Sequence, residues 1–153
     1  MTANNIKVTF PDLEVTHCNG NAVYINGIKD GVPPPPFLSQ LSVAGDTVYV
    51  SGQIALDPKT NKMIEKLGVE TETNQIFDNI EALLAGVGLT LADVVKSSVY
   101  LTNFDELPKF NEIYIKRMNG CRPAREAVQV VRLALGATVE ITVTAYKPNN
   151  VEG

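Results

Sequence analysis

The alternation of apolar and polar residues along the chain predicts short strands in its middle part. Residues 41–44 and 47–51 are strand-like runs that flank Gly45 and Asp46, a dipeptide typical of a two-residue hairpin loop. Residues 94–102 are rich in Val, Ser and Thr, a composition that predicts a strand with at least one buried face. These runs are too short for helices, so they indicate a sheet.

Two other segments have the spacing of amphipathic helices. Between residues 69 and 88 the apolar residues recur at helical intervals, and Gly86 and Gly88 supply a stop signal. A second helix is expected over residues 105–118, with Pro108 tolerated in its first turn. Each segment has one apolar stripe, so each helix is expected to pack on the sheet.

Two further strands are predicted over residues 127–133 and 137–146, joined by a hairpin connection at residues 134–136. Along residues 139–144 apolar side chains alternate with Glu and Thr, so this strand has one apolar and one small, polar face. The element order is β-β-α-β-α-β-β. The predicted fold class is α+β, a single mixed sheet with both helices packed on one face. The uncovered face is expected to pack against copies of the same chain.

The beginning of the chain differs in composition from the rest. Residues 31–40 contain four consecutive prolines, which cannot donate hydrogen bonds to a helix or a sheet, so an extended connector is expected there. A proline-rich recognition segment is the alternative interpretation. The connector separates an N-terminal extension, residues 1–30, from a main domain over residues 41–147. Within the extension, residues 6–10 and 22–25 are weakly strand-like.

Composition narrows the classes of function. The chain has 153 residues, of which 44% are hydrophobic, and it contains no apolar run of the length that spans a membrane. Its first residues lack the pattern of a signal peptide, so the cytoplasm is the expected compartment. The net charge of −4 opposes binding to nucleic acid unless the basic residues form one patch. Two cysteines, Cys18 and Cys121, are too few for a disulfide framework.

The chain contains a single histidine, His17, which limits the possible catalytic chemistries. Most zinc sites, Ser-His-Asp triads and Cys-His pairs need an imidazole from somewhere in the fold. His17 lies next to Cys18, but the sequence has no second cluster of metal-ligand type. A loop histidine is therefore expected, and no metal site is predicted.

Two charged residues near the last predicted strands are candidates for chemistry. Arg125 follows Pro123 and immediately precedes a predicted strand, and Glu140 lies inside an apolar strand, where an unpaired carboxylate is costly. An arginine fork matches a carboxylate in bidentate fashion, and a carboxylate can accept a proton from a water molecule. On spacing alone, ordinary surface or interface charges remain the simpler interpretation.

An ordered set of short motifs runs through residues 38–147. Its members are Ser51-Gly52-Gln53-Ile54, Asp57-Pro58, the helix at residues 75–80, Asp93-Val94-Val95-Lys96, Phe110-Asn111-Glu112-Ile113-Tyr114, Pro123-Ala124-Arg125, Val128-Gln129-Val130, Gly136 and Val139-Glu140-Ile141. Each motif is weak alone. The ordered set resembles the RidA (YjgF) family, whose members are also described as endoribonuclease L-PSP.

The resemblance implies a chorismate-mutase-like fold, a homotrimer with clefts between subunits and, for many members, hydrolysis of enamines and imines such as 2-aminoacrylate to keto acids and ammonia. It implies that Arg125 binds the substrate carboxylate and that Glu140 orients the attacking water. Ser51, Gly52 and Asn111 match positions that line the cleft. No cofactor is expected, because a 2-imino acid already hydrolyses in water and a catalyst needs only to fix substrate and water in reacting geometry.

The sequence departs from the family pattern in three places. Leu38 stands where active members often have a tyrosine, and Phe37 is expected to refill part of that wall of the substrate site. Ala127 stands where a cysteine is common, and the extension before residue 31 is longer than usual. Two alternatives to the deaminase therefore stay open. One is a keto-acid-binding trimer without turnover, and the other is a ribonuclease or translation inhibitor, which the acidic charge and the lack of a histidine pair disfavour.

Overall fold

The computed structural model describes residue 10 and residues 12–148. Within them the chain forms nine strands and two α-helices. These are β1 (Glu14–His17), β2 (Val23–Asn26), β3 (Leu41–Ala44), β4 (Thr47–Val50), β5 (Leu56–Asp57), β6 (Lys62–Met63), α1 (Val69–Gly86), β7 (Val94–Leu101), α2 (Leu107–Met118), β8 (Ala124–Gln129) and β9 (Val139–Tyr146). The predicted helices and the predicted central hairpin are thus confirmed to within a few residues.

Seven strands form one mixed sheet in the order β1-β2-β3-β4-β9-β7-β8. Neighbouring strands are antiparallel except β7 and β8, which are parallel and are joined through α2. The short strands β5 and β6 pair with each other in a separate hairpin. The predicted fold class, α+β with a single main mixed sheet and two helices, is confirmed.

Both helices cover the same face of the sheet. Helix α1 buries a stripe that includes Ile76, Phe77 and Ile80, and these side chains join the core with apolar residues of β3, β4, β7 and β9. Burying one such side chain stabilises the fold by about 1.5–3 kcal/mol, so this interface carries much of the stability. On α2, Arg117 forms ion pairs of 2.7 Å with Asp78 and with Glu81 of α1, which joins the two helices.

Strand β9 has the two faces that its sequence predicts. Val139, Ile141 and Val143 are buried under the helices, whereas Glu140 and the threonines beside it are partly exposed on the other face. We call this other side of the main sheet the open face. Within residues 12–148, neither helix combines the length and the apolar composition that a membrane crossing requires.

Residues 14–26 extend the main sheet at one edge. Strand β2 pairs antiparallel with β3, and β1 pairs antiparallel with β2. The predicted strand at residues 22–25 is confirmed as β2, while β1 was not predicted; the prediction for residues 6–10 falls almost entirely outside the described residues. The buried Gln40 side chain accepts a hydrogen bond from the Ile28 amide (2.9 Å) and donates to the Val32 carbonyl (3.0 Å), which fixes the connector.

The prediction for the strand before β9 is wrong in both its bounds and its partner. Residues 127–133 were expected to form a strand paired with β9, but β8 spans Ala124–Gln129 and pairs with β7. Residues 134–136 form a short helical turn and not a hairpin loop. The physical reason is the crossover through α2, which places β8 parallel to β7. Strand β9 instead occupies the middle of the sheet, between β4 and β7.

Candidate active site

Glu140 lies in β9, and its side chain is on the open face of the main sheet. One edge of β9 pairs here with β7, and the other edge is hydrogen-bonded to Gln53. Next to Glu140, the Ile141 amide donates to the Gln53 carbonyl (3.0 Å) and the Gln53 amide donates to the Ile141 carbonyl (2.9 Å). The Glu140 carboxylate is about half buried and receives no hydrogen bond from any described residue. Because burial disfavours the charged form, the pKa of Glu140 is raised above its ordinary value.

A buried carboxylate on α1 fixes the beginning of the same strand. The Glu72 side chain is fully buried and accepts hydrogen bonds from the Thr138 amide (2.8 Å) and the Thr138 hydroxyl. It also accepts from the Gly68 amide at the start of α1 (2.9 Å). Glu72 therefore joins the first turn of the helix to the residue two positions before Glu140.

Gly52 packs directly against the Glu140 carboxylate. A Cβ atom at position 52 would lie 2.8 Å from Glu140 Oε1, which is closer than real Cβ atoms approach, and 3.2 Å from Thr142 Oγ1, which is tight. Glycine at this position therefore allows the carboxylate its present place against the backbone, and any larger residue would displace it. We call Ser51, Gly52, Glu140 and Thr142 the acid cluster.

The connector ends beside the acid cluster. The Ser51 hydroxyl donates to the Ser39 carbonyl (2.5 Å), so Ser51 holds the connector in place. Just before it, the Leu38 amide donates to the Pro35 carbonyl (3.3 Å) and closes a turn. Phe37 and Leu38 project from this turn with 83% and 43% of their surface exposed. These two predicted substrate-binding residues therefore form an exposed apolar tip that directly precedes Ser39, the residue that contacts Ser51 of the acid cluster.

Arg125 lies on the edge strand β8 and packs on aromatic rings of α2. Its guanidinium carbon is 4.8 Å from the centroid of the Tyr114 ring and 5.8 Å from that of Phe110. Asn111 lies one turn before Tyr114, on the same side of α2. Among the described residues, none accepts a hydrogen bond or an ion pair from the Arg125 guanidinium. We call Phe110, Asn111, Tyr114 and Arg125 the arginine cluster.

Within one chain the two clusters lie on opposite faces of the sheet. Arg125 is in register with Ser97 of β7, which is buried under the helices, whereas Glu140 is in register with Tyr100 of the same strand. Ser97 and Tyr100 are three positions apart and therefore point to opposite faces. The expectation that Arg125 and Glu140 come from adjacent strands of one hairpin is wrong, because β7 lies between β8 and β9.

The structure adds three residues to those that the sequence singled out. Thr142 lies beside Gly52 and Glu140, since its Oγ1 would be 3.2 Å from a Cβ atom at position 52. The rings of Phe110 and Tyr114 lie under the Arg125 guanidinium. Their signals were present in the sequence, because Thr142 is two residues from Glu140 and both rings belong to the motif that contains Asn111. They were interpreted only as face-forming residues of a strand and a helix.

The histidine and the cysteines lie apart from both clusters. His17 is exposed at the end of β1, Cys18 follows it and is also exposed, and Cys121 is half buried. The described part of the chain contains no group of three or more His, Cys, Asp or Glu residues arranged to bind a metal ion.

Comparison with known proteins identifies the family of this fold. A family model described as Endoribonuclease L-PSP matches residues 34–147. A RutC family protein of Saccharolobus solfataricus is 44% identical over 115 residues, which are 75% of this chain and 90% of that protein. The crystal structure of RidA from an Antarctic Psychrobacter bacterium has a TM-score of 0.72 and 36% identity, and covers 77% of this chain and 94% of that one.

The chain therefore belongs to the Endoribonuclease L-PSP family, the RidA (YjgF) family that its ordered motifs resemble. The prediction of the family is confirmed. Some relatives have names that state a reaction: for example, a 2-iminobutanoate/2-iminopropanoate deaminase of Dermatophagoides farinae is 36% identical over 116 residues, which are 74% of this chain and 90% of that protein.

Proposed function

We propose that this protein hydrolyses reactive 2-enamine and 2-imino acids of the 2-aminoacrylate kind to 2-keto acids and ammonia. The observation that carries the proposal is a pair of unpaired charges of opposite sign. Arg125 has free N–H donors, and Glu140 has a half-buried carboxylate that no described residue neutralises. Similarity to a protein named 2-iminobutanoate/2-iminopropanoate deaminase supports the same reaction.

We further propose that the complete site forms in a homotrimer, where the arginine cluster of one protomer meets the acid cluster of its neighbour. Two features support this assembly. Arg125 lies on the last strand of the sheet, so its cluster is at an edge that a neighbour can reach. The open face carries large, half-exposed side chains, Tyr49 and Val128, which favour contact with another protein surface.

In the proposed reaction, Arg125 binds the substrate carboxylate through two parallel N–H donors. The enamine first tautomerises to the imine. Water then adds to the carbon of the protonated imine while Glu140 accepts a proton from the water, which gives a neutral tetrahedral carbinolamine. Glu140 returns this proton to the nitrogen, and the carbon–nitrogen bond breaks with release of ammonia. The hydroxyl proton passes back to the Glu140 carboxylate as the carbonyl of the keto acid forms, and Glu140 then loses it to solvent or to ammonia. A carboxyl group whose pKa is raised by burial is suited to these transfers.

The test is an assay in which 2-aminoacrylate is generated in solution and the release of pyruvate and ammonia is followed. We expect the protein to accelerate release over buffer. Arg125→Ala should lower kcat/KM by about 100-fold or more, because it removes a charge-assisted bidentate contact. Arg122→Ala, which removes an exposed arginine three residues earlier, is the matched control and should leave the rate unchanged. A rate equal to that in buffer, with several amino-acid precursors, would exclude the deaminase.

Two outcomes would select the other candidate functions. Binding of 2-ketobutyrate with no acceleration of imine hydrolysis would indicate a keto-acid-binding protein, an alternative that Leu38 in the place of a tyrosine favours. Cleavage of RNA that survives rigorous purification and disappears in Arg125→Ala would indicate the activity in the family's description. The net charge of −4 favours neither contact with RNA nor its cleavage.

A further inference from the structure

The Arg125 side chain is held in an unusual way for a residue that is to bind an anion. Such an arginine is commonly oriented by a hydrogen bond or an ion pair from a neighbouring residue, but within residues 12–148 the guanidinium has neither. Its contacts are with the faces of two aromatic rings, Tyr114 at 4.8 Å and Phe110 at 5.8 Å. A cation over a ring face is attracted by the ring and uses none of its N–H donors in that contact.

The Tyr114 ring is itself fixed. Tyr114 is only 7% exposed, and its ring packs edge-on against Phe77 and at a tilt against Phe110, with 5.7 Å between centroids in each pair. A ring confined between α1, α2 and β8 cannot follow the arginine, so the arginine must adapt to the ring. The contact therefore sets where the guanidinium lies.

The Tyr114 hydroxyl makes no hydrogen bond within the described chain that would account for a tyrosine at this position. It is buried and has no hydrogen-bond partner among the described residues, although buried tyrosine hydroxyls usually find one. Leaving a buried hydroxyl unpaired is unfavourable. Within the described chain, Tyr114 thus contacts Arg125 through its aromatic face, and its oxygen forms no hydrogen bond with the guanidinium.

We propose that Tyr114 is a positioning residue that holds the Arg125 guanidinium over its ring with all five N–H donors free for the substrate carboxylate. The inference rests on the proposed function in one respect, since it takes Arg125 as the residue that binds the carboxylate. A flexible arginine loses rotamer freedom when it binds a ligand, and a side chain that is already placed loses less. Tyr114 acts through Arg125 and does not itself touch the substrate.

The experiment measures the Kd of 2-ketobutyrate by calorimetry for the full-length wild-type protein and four variants. Tyr114→Phe keeps the ring and should bind as the wild type does. Tyr114→Leu removes the ring and should raise the Kd by about tenfold. Leu41→Ala is the matched control, because it removes a fully buried side chain from β3, which three strands separate from β8. It should lower stability and leave the Kd within about twofold of the wild type. Arg125→Ala should abolish measurable binding.

The outcomes separate this inference from the proposed function. If Arg125→Ala loses binding while Tyr114→Leu binds as tightly as the wild type, the positioning role is refuted and the role of Arg125 stands. If Arg125→Ala itself binds normally, the assignment of the carboxylate site is refuted. Equal losses in Tyr114→Leu and Leu41→Ala would show a general effect of core damage and would also overturn the inference.

A measurement on the wild-type protein decides the matter if Tyr114→Leu does not fold. In the NMR spectrum, the Arg125 Nε–H resonance, assigned by its loss in Arg125→Lys, should be shifted upfield by the ring current and should be as ordered as the backbone. Addition of 2-ketobutyrate should move this resonance without releasing it from the ring. A resonance with the shift and mobility of an exposed arginine would overturn the proposal.

Discussion

Glu140 is fixed by backbone contacts, whereas Arg125 is placed by aromatic side chains. In the acid cluster the carboxylate lies on a central strand and packs against the bare backbone of Gly52, and the strand is bonded to Gln53 beside it. In the arginine cluster a long side chain extends from an edge strand over the Tyr114 ring, and its N–H groups meet no acceptor in the described chain.

The difference suggests what each cluster requires from its surroundings. The acid cluster holds a carboxylate on a backbone that is hydrogen-bonded beside it, and none of the described residues places a cation next to that carboxylate. The arginine cluster has a cation that no described carboxylate neutralises. Because the sheet separates the two clusters, the proposed chemistry requires that Arg125 and Glu140 come from different protomers.

The largest expected effect comes from mixing two inactive variants. Arg125→Ala and Glu140→Gln should each lack activity when expressed alone. When they are co-expressed with different tags and purified as mixed assemblies, some sites take Arg125 from one protomer and Glu140 from its neighbour. Every cyclic trimer that contains both chains has one such site among its three, so about a third of the wild-type rate should return.

The control for this mixing experiment pairs Arg125→Ala with the double variant that also carries Glu140→Gln. This pair contains no intact arginine cluster and should remain inactive. If the first mixture is also inactive although both chains are present in one assembly, the sites do not lie between protomers. The proposal that the arginine cluster of one protomer meets the acid cluster of its neighbour is then incorrect.

The local elements of the fold could be predicted from the sequence because their signals are local. The stripe of α1 and the alternation in β9 are each contained in one segment, and each is found where it was expected. The pairing of β8 was predicted wrongly because strand pairing depends on the whole chain. The run at residues 127–133 gives no sign that α2 carries the strand across to the far side of β7.

The candidate site was predictable in its residue types but not in its geometry. The motifs pointed to Arg125 and Glu140, but whether two residues share a face depends on strand order and register, which no local pattern contains. The role of Ser51 was also hidden, since only the structure shows its hydroxyl donating to the connector. Likewise, the sequence shows Tyr114 as a helix residue and does not show the cation above it.

A methyl group at Gly52 should disable the acid cluster. In Gly52→Ala the new Cβ would lie 2.8 Å from Glu140 Oε1, so the carboxylate must move away from its present position. We expect kcat/KM to fall by about 10- to 100-fold, the cost of displacing a catalytic group by about 1 Å. Gly20→Ala is the matched control, since no atom lies within 4 Å of its added Cβ, and it should be fully active. Normal activity in Gly52→Ala would show that the contact with Glu140 is unimportant.

Removal of the carboxylate that holds the start of β9 should affect stability. Glu72→Ala leaves the Thr138 and Gly68 amides without their acceptor in a buried region, and we expect it to lower the free energy of unfolding by about 2–3 kcal/mol. Thr138→Val removes only the hydroxyl and should cost about 1 kcal/mol. Glu70→Ala, an exposed glutamate in the same helical turn, should change the value by less than about 0.5 kcal/mol. Urea denaturation measures all three, and equal values for Glu72→Ala and Glu70→Ala would contradict the assignment.

The smallest expected effect is a change of thermal stability with pH, of opposite sign for two glutamates. Burial raises the pKa of Glu140 in the folded protein, so the stability that its neutral form contributes is present at low pH and is lost as the pH rises through that raised pKa. Glu140→Gln has no such loss. Its Tm should match the wild type near pH 3.5 and exceed it at pH 7, by no more than about 2 °C because the group is half exposed.

Glu126 on the edge strand provides the comparison. Its hydrogen bond from Lys96, followed by the one from Ser98, lowers the pKa of Glu126, so the stability that its charged form contributes is present above the unfolded pKa and is lost as the pH falls through the lowered one. Glu126→Gln should therefore match the wild type at low pH and have the lower Tm at pH 7. Scanning calorimetry from pH 3.5 to 8 measures both differences. If the two variants shift in the same direction as the pH rises, the burial of Glu140 does not control its protonation, and the acid cluster loses the property that suits it to proton transfer.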